Sequence, residues 1–350
     1  MKEKIQKHSR EITIILIVIL MGIGIGTLGL KDYFSDKNKI EEKEIKSEKT
    51  DKEENSDKKK ESECTPLLYK VTKEGTETTM YLFGSIHLAD DRAYPLPEKV
   101  MNAYNTSDYL AVEFDMITYA NDYKKQVESL QTLVLTDGTM VTDHLSDETY
   151  QLMVEYLKEN NLYNSMYDYY KPAIHYSLIS SVQTELSDLD SDLGIDMYFL
   201  EKAHKENKEI LEVESATSQY EMLGSLPDEL YDFLISSSII YEESMIKETN
   251  DLYEAWLKGD AQYIVELSSS EDTELLDDYE DYEKLVSLLE EYDKALIDDR
   301  NVSMTEKATE YFEEGKNVFF VVGLAHIVGE GAIAENLQKL GYSVELVEYK

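Results

Sequence analysis

Short hydrophobic runs that end at a glycine mark the strands of this chain, and the clearest run lies near the C-terminus. Residues 318–322 are an unbroken apolar run of β-branched and aromatic side chains, which predicts a strand buried on both faces. Gly323 ends this run, and apolar residues at helical spacing follow over residues 333–340. Residues 342–347 predict a further strand. The pattern therefore predicts a strand–loop–helix–strand unit.

The same strand ending occurs twice in the chain. An earlier apolar run, which begins at residue 80, is followed by Gly84 and then His87. The later run is followed at the same spacing by Gly323 and His326. Glycine permits backbone angles and close contacts that a β-carbon would prevent, so each turn can project its histidine from a rigid sheet edge. Because open α/β sheets bind ligands at the carboxyl ends of their strands, we interpret the two histidines as parts of one site. The alternative is that each is a buried, hydrogen-bonded histidine.

Most of the predicted helices lie between these two units. Residues 67–72 and 78–83 predict a hairpin, and residues 109–114 and 208–214 predict two more strands. The rest of the region at about 119–300 carries apolar residues at spacings of three and four, which are typical of helices. We therefore predict an α/β fold: a mixed β-sheet flanked by helices, built from two strand–GxxH–helix halves with a helical middle region.

The first 30 residues have the pattern of a membrane anchor. Residues 12–30 carry no charge, and they are long enough to cross a hydrocarbon core of about 30 Å as a helix. Basic residues precede this span, so the N-terminus is expected in the cytoplasm and the bulk of the protein outside. The alternative is a cleaved signal peptide, although the span lacks a convincing small-x-small cleavage site. We predict a single-pass protein of the cell membrane with an N-terminal transmembrane helix and an extracytoplasmic C-terminal domain.

A charged tether at residues 31–65 is predicted to connect the anchor to one large domain at residues 66–350. The tether has few hydrophobic residues, so we expect it to be disordered. Residues 1–63 contain fourteen basic and fourteen acidic residues, so the net charge of −39 falls on the rest of the chain. Such a domain should repel nucleic acid and attract cationic peptides or metal ions, although solubility alone would also explain the charge. Cys64 is the only cysteine, so an internal disulfide is impossible.

Polar residues at the ends of predicted strands are the candidate chemistry of this domain. Glu113 and Glu214 each follow an apolar run, where a charge is costly unless a metal ion or a histidine accompanies it. The alternative for Glu113 is a surface glutamate that begins a loop. The four strand-end side chains suit a divalent ion such as Mn, Co or Zn, which would activate water; they are His87, His326, Glu113 and Glu214. Arg300 is one of few cations in the domain, and we expect it to contact a carboxylate or another anion.

These residues carry a resemblance to the TraB/GumN family, which includes the Tiki proteases. The resemblance extends over residues 67–347, and the stretches that carry it are YLFGSIHLADDRAYPLPEKV, YLAVEFD, GIDMYFLEKAHKENKEILEVESATSQ, DDRNVSM and FFVVGLAHIVGEGAIAENLQKLGYSVELV. The family's paired GxxH motifs fall on His87 and His326, and its early glutamate falls on Glu113. Its L-E-T…Q segment falls on Glu214 with Gln219. Its R-N…M segment falls on Arg300 with Asn301 and Met304. Here Val213 and Ser215 replace the Leu and Thr of the L-E-T segment.

The resemblance implies a divalent-metal-dependent peptidase, which is the activity of the Tiki members. Other members are linked to blocking peptide pheromones at the cell surface, by cleavage or by sequestration. We therefore predict a membrane-anchored, extracytoplasmic metal-dependent hydrolase with Glu113, Glu214 and Arg300 as its catalytic residues. One alternative is a non-catalytic surface protein that sequesters a peptide. Another is a metal-free hydrolase in which a histidine is the general base.

Overall fold

A six-stranded mixed sheet forms the centre of the fold. The structure is a computed structural model that describes residues 62–269 and 282–349. Its strands are β1 (Leu68–Thr72), β2 (Met80–Ser85), β3 (Tyr109–Val112), β4 (Glu209–Glu212), β5 (Val318–Gly323) and β6 (Ser343–Leu346). They are arranged in the order β4-β3-β5-β2-β1-β6. The mixed sheet predicted from the hydrophobic runs is therefore confirmed.

Strand direction brings the two Gly-x-x-His turns to one edge of the sheet. The pairs β2–β5, β5–β3 and β3–β4 are parallel, whereas β1 is antiparallel to both β2 and β6. Ser85 at the end of β2 pairs with Gly323 at the end of β5. The turns that follow these neighbouring strands therefore leave the sheet side by side, although more than two hundred residues separate them in sequence.

Helices cover both faces of the sheet and form a separate helical layer. Within the described residues they are α1 (Glu98–Thr106), α2 (Met116–Ala120), α3 (Tyr123–Gln131), α4 (Asp147–Glu159), α5 (Pro172–Leu186), α6 (Ile195–Glu206), α7 (Ala216–Ser225), α8 (Asp228–Ile240), α9 (Glu242–Lys258), α10 (Ala261–Ser269), α11 (Tyr282–Asp293), α12 (Asp299–Glu313) and α13 (Ile333–Lys339). Local sequence explains several of their starts. The Asp115 side chain caps α2, and a proline occupies the first position of α5, where its missing N–H has no cost.

Alternate strand residues point into different parts of the core. Phe83 and Phe319 pack against Phe199 of α6 on one face of the sheet. Phe320, the next residue along β5, packs on the opposite face in the cluster that contains α12 and α13 residues. A third apolar cluster lies within the helical middle region and joins α4, α5, α8 and α11. The central strand β5 is thus buried on both faces, as its unbroken apolar run predicts, whereas the edge strands β4 and β6 are partly exposed.

Two predicted strands are shorter than expected, and the difference matters for the site. The strand predicted at residues 109–114 ends at Val112, and that predicted at residues 208–214 ends at Glu212. Glu113 and Glu214 therefore lie just beyond β3 and β4 rather than inside them. The anchor predicted at residues 1–30 and nearly all of the tether at residues 31–65 lie outside the described residues. Among the helices that are described, none is long and apolar enough to cross a membrane.

Candidate active site

Two glutamates converge on one guanidinium group at the carboxyl edge of the sheet. Arg300 Nη2 donates to Glu113 Oε2 at 2.7 Å and to Glu214 Oε2 at 2.9 Å, while Arg300 Nε donates to Glu214 Oε1 at 2.9 Å. Gln219 Nε2 donates to the same two carboxylates at 3.1 and 3.0 Å. The backbone N–H of Gly323 donates to Glu113 Oε1 at 2.9 Å. Both carboxylates are thus held in a hydrogen-bonded network and are not surface residues beginning a loop.

Sheet topology explains why these distant residues meet. Glu113 and Glu214 each follow one of two adjacent parallel strands, and the Glu214 N–H donates to the Glu113 carbonyl at 2.8 Å. Arg300 comes from the first turn of α12, and its side chain is about 10% exposed. Burial raises the pKa of Glu113, but the charge of Arg300, helped by the two site histidines where they carry a proton, outweighs burial and lowers that pKa to about 2. Glu113 is therefore an ionised carboxylate at neutral pH.

The first histidine is oriented by an aspartate that the sequence motifs did not reveal. His87 Nδ1 and Asp196 Oδ2 lie 2.9 Å apart, and Asp196 is in the first turn of α6. Burial lowers the pKa of His87, but the Asp196 carboxylate outweighs it and raises the pKa to about 9. The other ring nitrogen, Nε2, is buried and has no hydrogen-bond partner among the described residues. Asp196 was missed because it lies far from His87 in sequence and opens an otherwise ordinary amphipathic helix.

Close backbone packing holds α6 against the turn that carries His87. The N–H of Ile195, the first residue of α6, donates to the carbonyl of Ile86 at 2.9 Å. The Cα of Gly194 approaches the His87 carbonyl so closely that a β-carbon would overlap it. At Gly84 a β-carbon would lie 2.6 Å from Leu324 Cδ1 and 3.2 Å from Leu324 Cα, so close packing favours glycine here without an unusual backbone angle.

The second histidine is oriented from the same helix that supplies the arginine. His326 is fully buried, and its Nδ1 lies 2.8 Å from Asn301 Oδ1, to which it donates. Burial and the nearby Arg300 charge lower the pKa of His326 to about 3, so the ring is neutral at pH 7. With its proton on Nδ1, the ring presents a free lone pair at Nε2. That atom is buried and has no hydrogen-bond partner in residues 62–269 or 282–349.

A cavity at this edge of the sheet joins several of these groups. Its polar lining comes from Ser85, His87, Glu113, Asp196 and Gln219. Its apolar lining comes from six residues at the same end of the sheet and on α2 and α6, namely Val112, Phe114, Met116, Leu200, Val321 and Val322. Ser85, like Asp196, was not a predicted site residue. His326 does not line this cavity, but the charge of Glu113 acts on the pKa of both histidines, which places all three in one electrostatic environment.

The donor types of this site fit a divalent ion in part. Each of the two imidazoles has a polar partner at Nδ1 and no partner at Nε2 among the described residues. Metal-binding histidines have this arrangement, because a hydrogen bond to one ring nitrogen orients the other towards the metal. Glu113 Oε1 accepts one hydrogen bond and retains a lone pair for a third contact. Within the part of the chain that the structure describes, no group of three or more His, Cys, Asp or Glu side chains is positioned to hold a metal ion. The two glutamates face Arg300 instead.

Comparison with known proteins identifies the family. A family model described as the TraB/PrgY/gumN family matches residues 67–346, which include every site residue from Ser85 to His326. The chain belongs to the TraB/PrgY/gumN family. Its resemblance to TraB/GumN proteins, inferred from the paired GxxH motifs, is thereby confirmed.

The curated relatives that match this TraB/PrgY/gumN family member have low sequence identity to it. The chain is similar to "Uncharacterized protein YbaP" of Escherichia coli (strain K12) and to the protein of the same name in Shigella flexneri. Each is 26% identical over 149 residues, which is 42% of this chain and 53% of the relative. The chain thus spans about half the length of the curated relatives it matches. No solved structure matches it significantly.

Proposed function

We propose that this TraB/PrgY/gumN family protein is a hydrolase of peptides that uses a divalent ion bound at the GxxH histidines. The observation that carries the proposal is the pair of imidazole Nε2 atoms, both buried and both without a partner in the described residues. Leaving a buried polar atom unpaired costs about 1–3 kcal/mol, so two such atoms in one site indicate a ligand that completes them. His87 and His326 would hold the ion, and Glu113 would have to turn from Arg300 to become a third ligand.

The protein side chains have separable roles in this proposal. When bound, the ion would polarise a substrate carbonyl and lower the pKa of a water molecule. Arg300 holds Glu113 and Glu214 in place and donates to both oxygens of Glu214. In this proposal Glu214 would be the general base that accepts a proton from water. Asp196 and Asn301 orient the two imidazoles through Nδ1. The apolar wall of the cavity would exclude bulk water and receive an uncharged part of the substrate.

The location and substrate class are part of the same proposal. The uncharged residues 12–30 support a membrane anchor with the catalytic domain outside the cell. The net charge of −39 supports a cationic peptide as the preferred partner and disfavours nucleic acid. Protease treatment of intact cells tests the location. A surface-exposed domain is degraded, whereas a domain inside the cell survives and would contradict this part of the proposal.

The metal assignment is tested by elemental analysis of the purified full-length protein. Mn, Co or Zn is offered, excess ion is removed, and the bound ion per chain is measured for wild type, His87→Ala and His326→Ala. His144→Ala is the matched control, because His144 contacts Asp228 at 2.8 Å and lies outside the proposed site. We expect both site variants to lose the ion and the control to keep it. Equal metal content in all four proteins would refute the assignment.

Peptide cleavage is tested separately, by mass spectrometry of cationic peptides incubated with the metal-loaded protein. Fragments made by wild type but not by His326→Ala would support the hydrolase. Binding without fragments would favour the sequestering protein instead, and this result would refute the catalytic proposal while leaving the metal assignment standing.

A metal-free hydrolase is the second candidate, and one observation favours it. The environments of the two histidines push their pKa values apart, to about 9 for His87 and about 3 for His326. Such separation is typical of an acid and a base that work together. In this candidate, protonated His87 is the general acid and neutral His326 accepts a proton from water. Activity that survives exhaustive chelation would favour it, and activity restored only by added Mn, Co or Zn would exclude it.

A further inference from the structure

Ser85 places an unused hydroxyl group inside the candidate active site. It is the last residue of β2, it is 2% exposed, and it lines the same cavity as His87 and Glu113. Its Oγ is buried and has no hydrogen-bond partner among the described residues. The neighbouring position on β5 is Gly323, whose N–H is already committed to Glu113. The hydroxyl is therefore next to the reacting groups and available to a ligand.

This hydroxyl is unfavourable for the fold itself. Most other buried serines donate to a nearby carbonyl, for example Ser107 Oγ to Ala103 at 2.8 Å and Ser180 Oγ to Tyr176 at 2.9 Å. Ser238 Oγ also has no partner among the described residues, but it does not line the candidate site. Ser85 is in a strand that is otherwise apolar and has no such acceptor. A buried hydroxyl without a partner destabilises a fold, so an alanine here would serve the fold at least as well. Residues that oppose stability in this way are expected at functional sites.

The surroundings of Ser85 favour a hydrogen-bond donor over a nucleophile. A catalytic serine is activated by a hydrogen bond to a base. Ser85 Oγ and His87 Nε2 lack any hydrogen bond, including one to each other. Peptide hydrolysis places growing negative charge on the carbonyl oxygen, and a hydroxyl in a water-poor cavity can stabilise that charge. Ser85 therefore suits the oxygen of the scissile carbonyl.

We propose that the Ser85 hydroxyl donates a hydrogen bond to the substrate carbonyl oxygen and stabilises it as the oxyanion forms. Water attacks the carbonyl carbon and gives a proton to the general base of the site. The C–N bond of the amide, or the C–O bond of the ester, then breaks, and the leaving amine or alcohol takes up that proton. No bond forms to Ser85, and its hydroxyl keeps its own proton throughout. The substrate class is thus an amide or ester carbonyl compound whose reacting oxygen enters the cavity beside His87. This inference rests on the proposed hydrolase activity.

The test compares Ser85→Ala and Ser85→Thr with wild type on a cationic peptide that the wild-type protein cuts. Ser180→Ala is the control, since it removes a buried serine hydroxyl away from the cavity. Peptide binding is followed independently through Trp256, the only tryptophan, whose indole N–H donates to the Gly84 carbonyl at 2.8 Å. For Ser85→Ala we expect kcat to fall about a hundredfold with KM unchanged, as for loss of one oxyanion donor. We expect Ser85→Thr to recover most of that loss.

Stability provides a readout that does not depend on turnover. Ser85→Ala should leave Tm unchanged or raise it, whereas a serine with a purely structural role would lower Tm on substitution. Unchanged kcat in Ser85→Ala, or a lower Tm that parallels the lost activity, would overturn the proposal. A covalent acyl adduct on Ser85 in the intact-protein mass would also overturn it, in favour of a nucleophile. If wild type neither binds nor cuts any peptide, the proposed function falls and this inference falls with it; the other outcomes leave the proposed function standing.

Discussion

The buried arginine provides a sharp test of how the site is held together. Substituting Arg300→Met keeps an unbranched apolar stem and removes the charged guanidinium group. The change deletes the contacts to Glu113 at 2.7 Å and to Glu214 at 2.9 Å, and it leaves two carboxylates that are only 14% and 11% exposed. Removing one partner of a buried ion pair costs about 3–5 kcal/mol, chiefly because the remaining charge is uncompensated. With two carboxylates stranded, we expect the free energy of unfolding to fall by the upper part of that range, about 5 kcal/mol.

The chain contains a matched control for this experiment. Arg92 also contacts two carboxylates, Asp90 at 2.8 Å and Glu254, but its side chain is 50% exposed. Water screens such a pair, so Arg92→Met should cost about 1 kcal/mol or less. Urea unfolding of both variants and wild type, followed by circular dichroism, gives the two free energies. Adding Glu214→Gln to Arg300→Met should restore part of the loss, since one uncompensated charge is then removed.

Equal losses in the Arg300 and Arg92 variants would refute this reasoning. They would mean that water reaches the glutamates and that burial does not strengthen the pair. A loss below about 1 kcal/mol for Arg300→Met alone would have the same meaning. In either case Glu113 would not be held rigidly, and its assignment as a ligand or positioning group would lose its structural basis.

Two further predictions concern stability at other positions. His175 of α5 is buried, its Nε2–H donates to the Tyr167 carbonyl at 3.0 Å, and burial lowers its pKa to about 4. The unfolded chain therefore takes up this proton first, near pH 6.5. The free energy of unfolding should therefore fall by about 3 kcal/mol as the pH drops from 6.5 towards 4. Denaturant titrations across this range should show a shallower pH dependence for His175→Gln, and an identical slope in both proteins would contradict the prediction. Gly194→Ala should destabilise the fold by about 1–3 kcal/mol, because the new β-carbon overlaps the His87 carbonyl. Thermal unfolding measures this loss, and an unchanged Tm would show that α6 can move away from the turn.

The strands and the two histidines were predictable because their signals are local. An apolar run that ends in glycine is visible in a few residues, and parallel strands must end at the same sheet edge. The hairpin of β1 and β2 and the short strand β4 follow from the same kind of pattern. The exact ends of β3 and β4 did not follow, because the chain turns towards α2 and α7 after these strands although backbone hydrogen bonds still join residues 112–113 to residues 213–214.

The partners of the site residues were not predictable from their neighbours in sequence. Asp196 is a helix residue, and its importance comes only from the packing of α6 against the His87 turn. Ser85 is an ordinary serine until the structure shows that no acceptor surrounds it. Arg300 was expected to meet an anion, but its simultaneous contact with both Glu113 and Glu214 depends on the order of β3 and β4 in the sheet. Such contacts are set by topology, which local patterns do not encode.

The charges of the assembled site favour a bound cation. Arg300 pairs with Glu113 and Glu214, and Asp196 pairs with His87. If His87 is neutral, these contacts set three carboxylates against one guanidinium within the described site. The formal excess is two negative charges in a largely buried volume, which is costly to maintain. The His87 pKa of about 9 reflects this demand for positive charge, but a proton there removes only half of the excess. A divalent ion that replaces the proton would remove all of it. The same excess of negative charge would attract a cationic group of a peptide to this edge of the sheet. One set of residues therefore accounts for both the proposed ion and the proposed substrate.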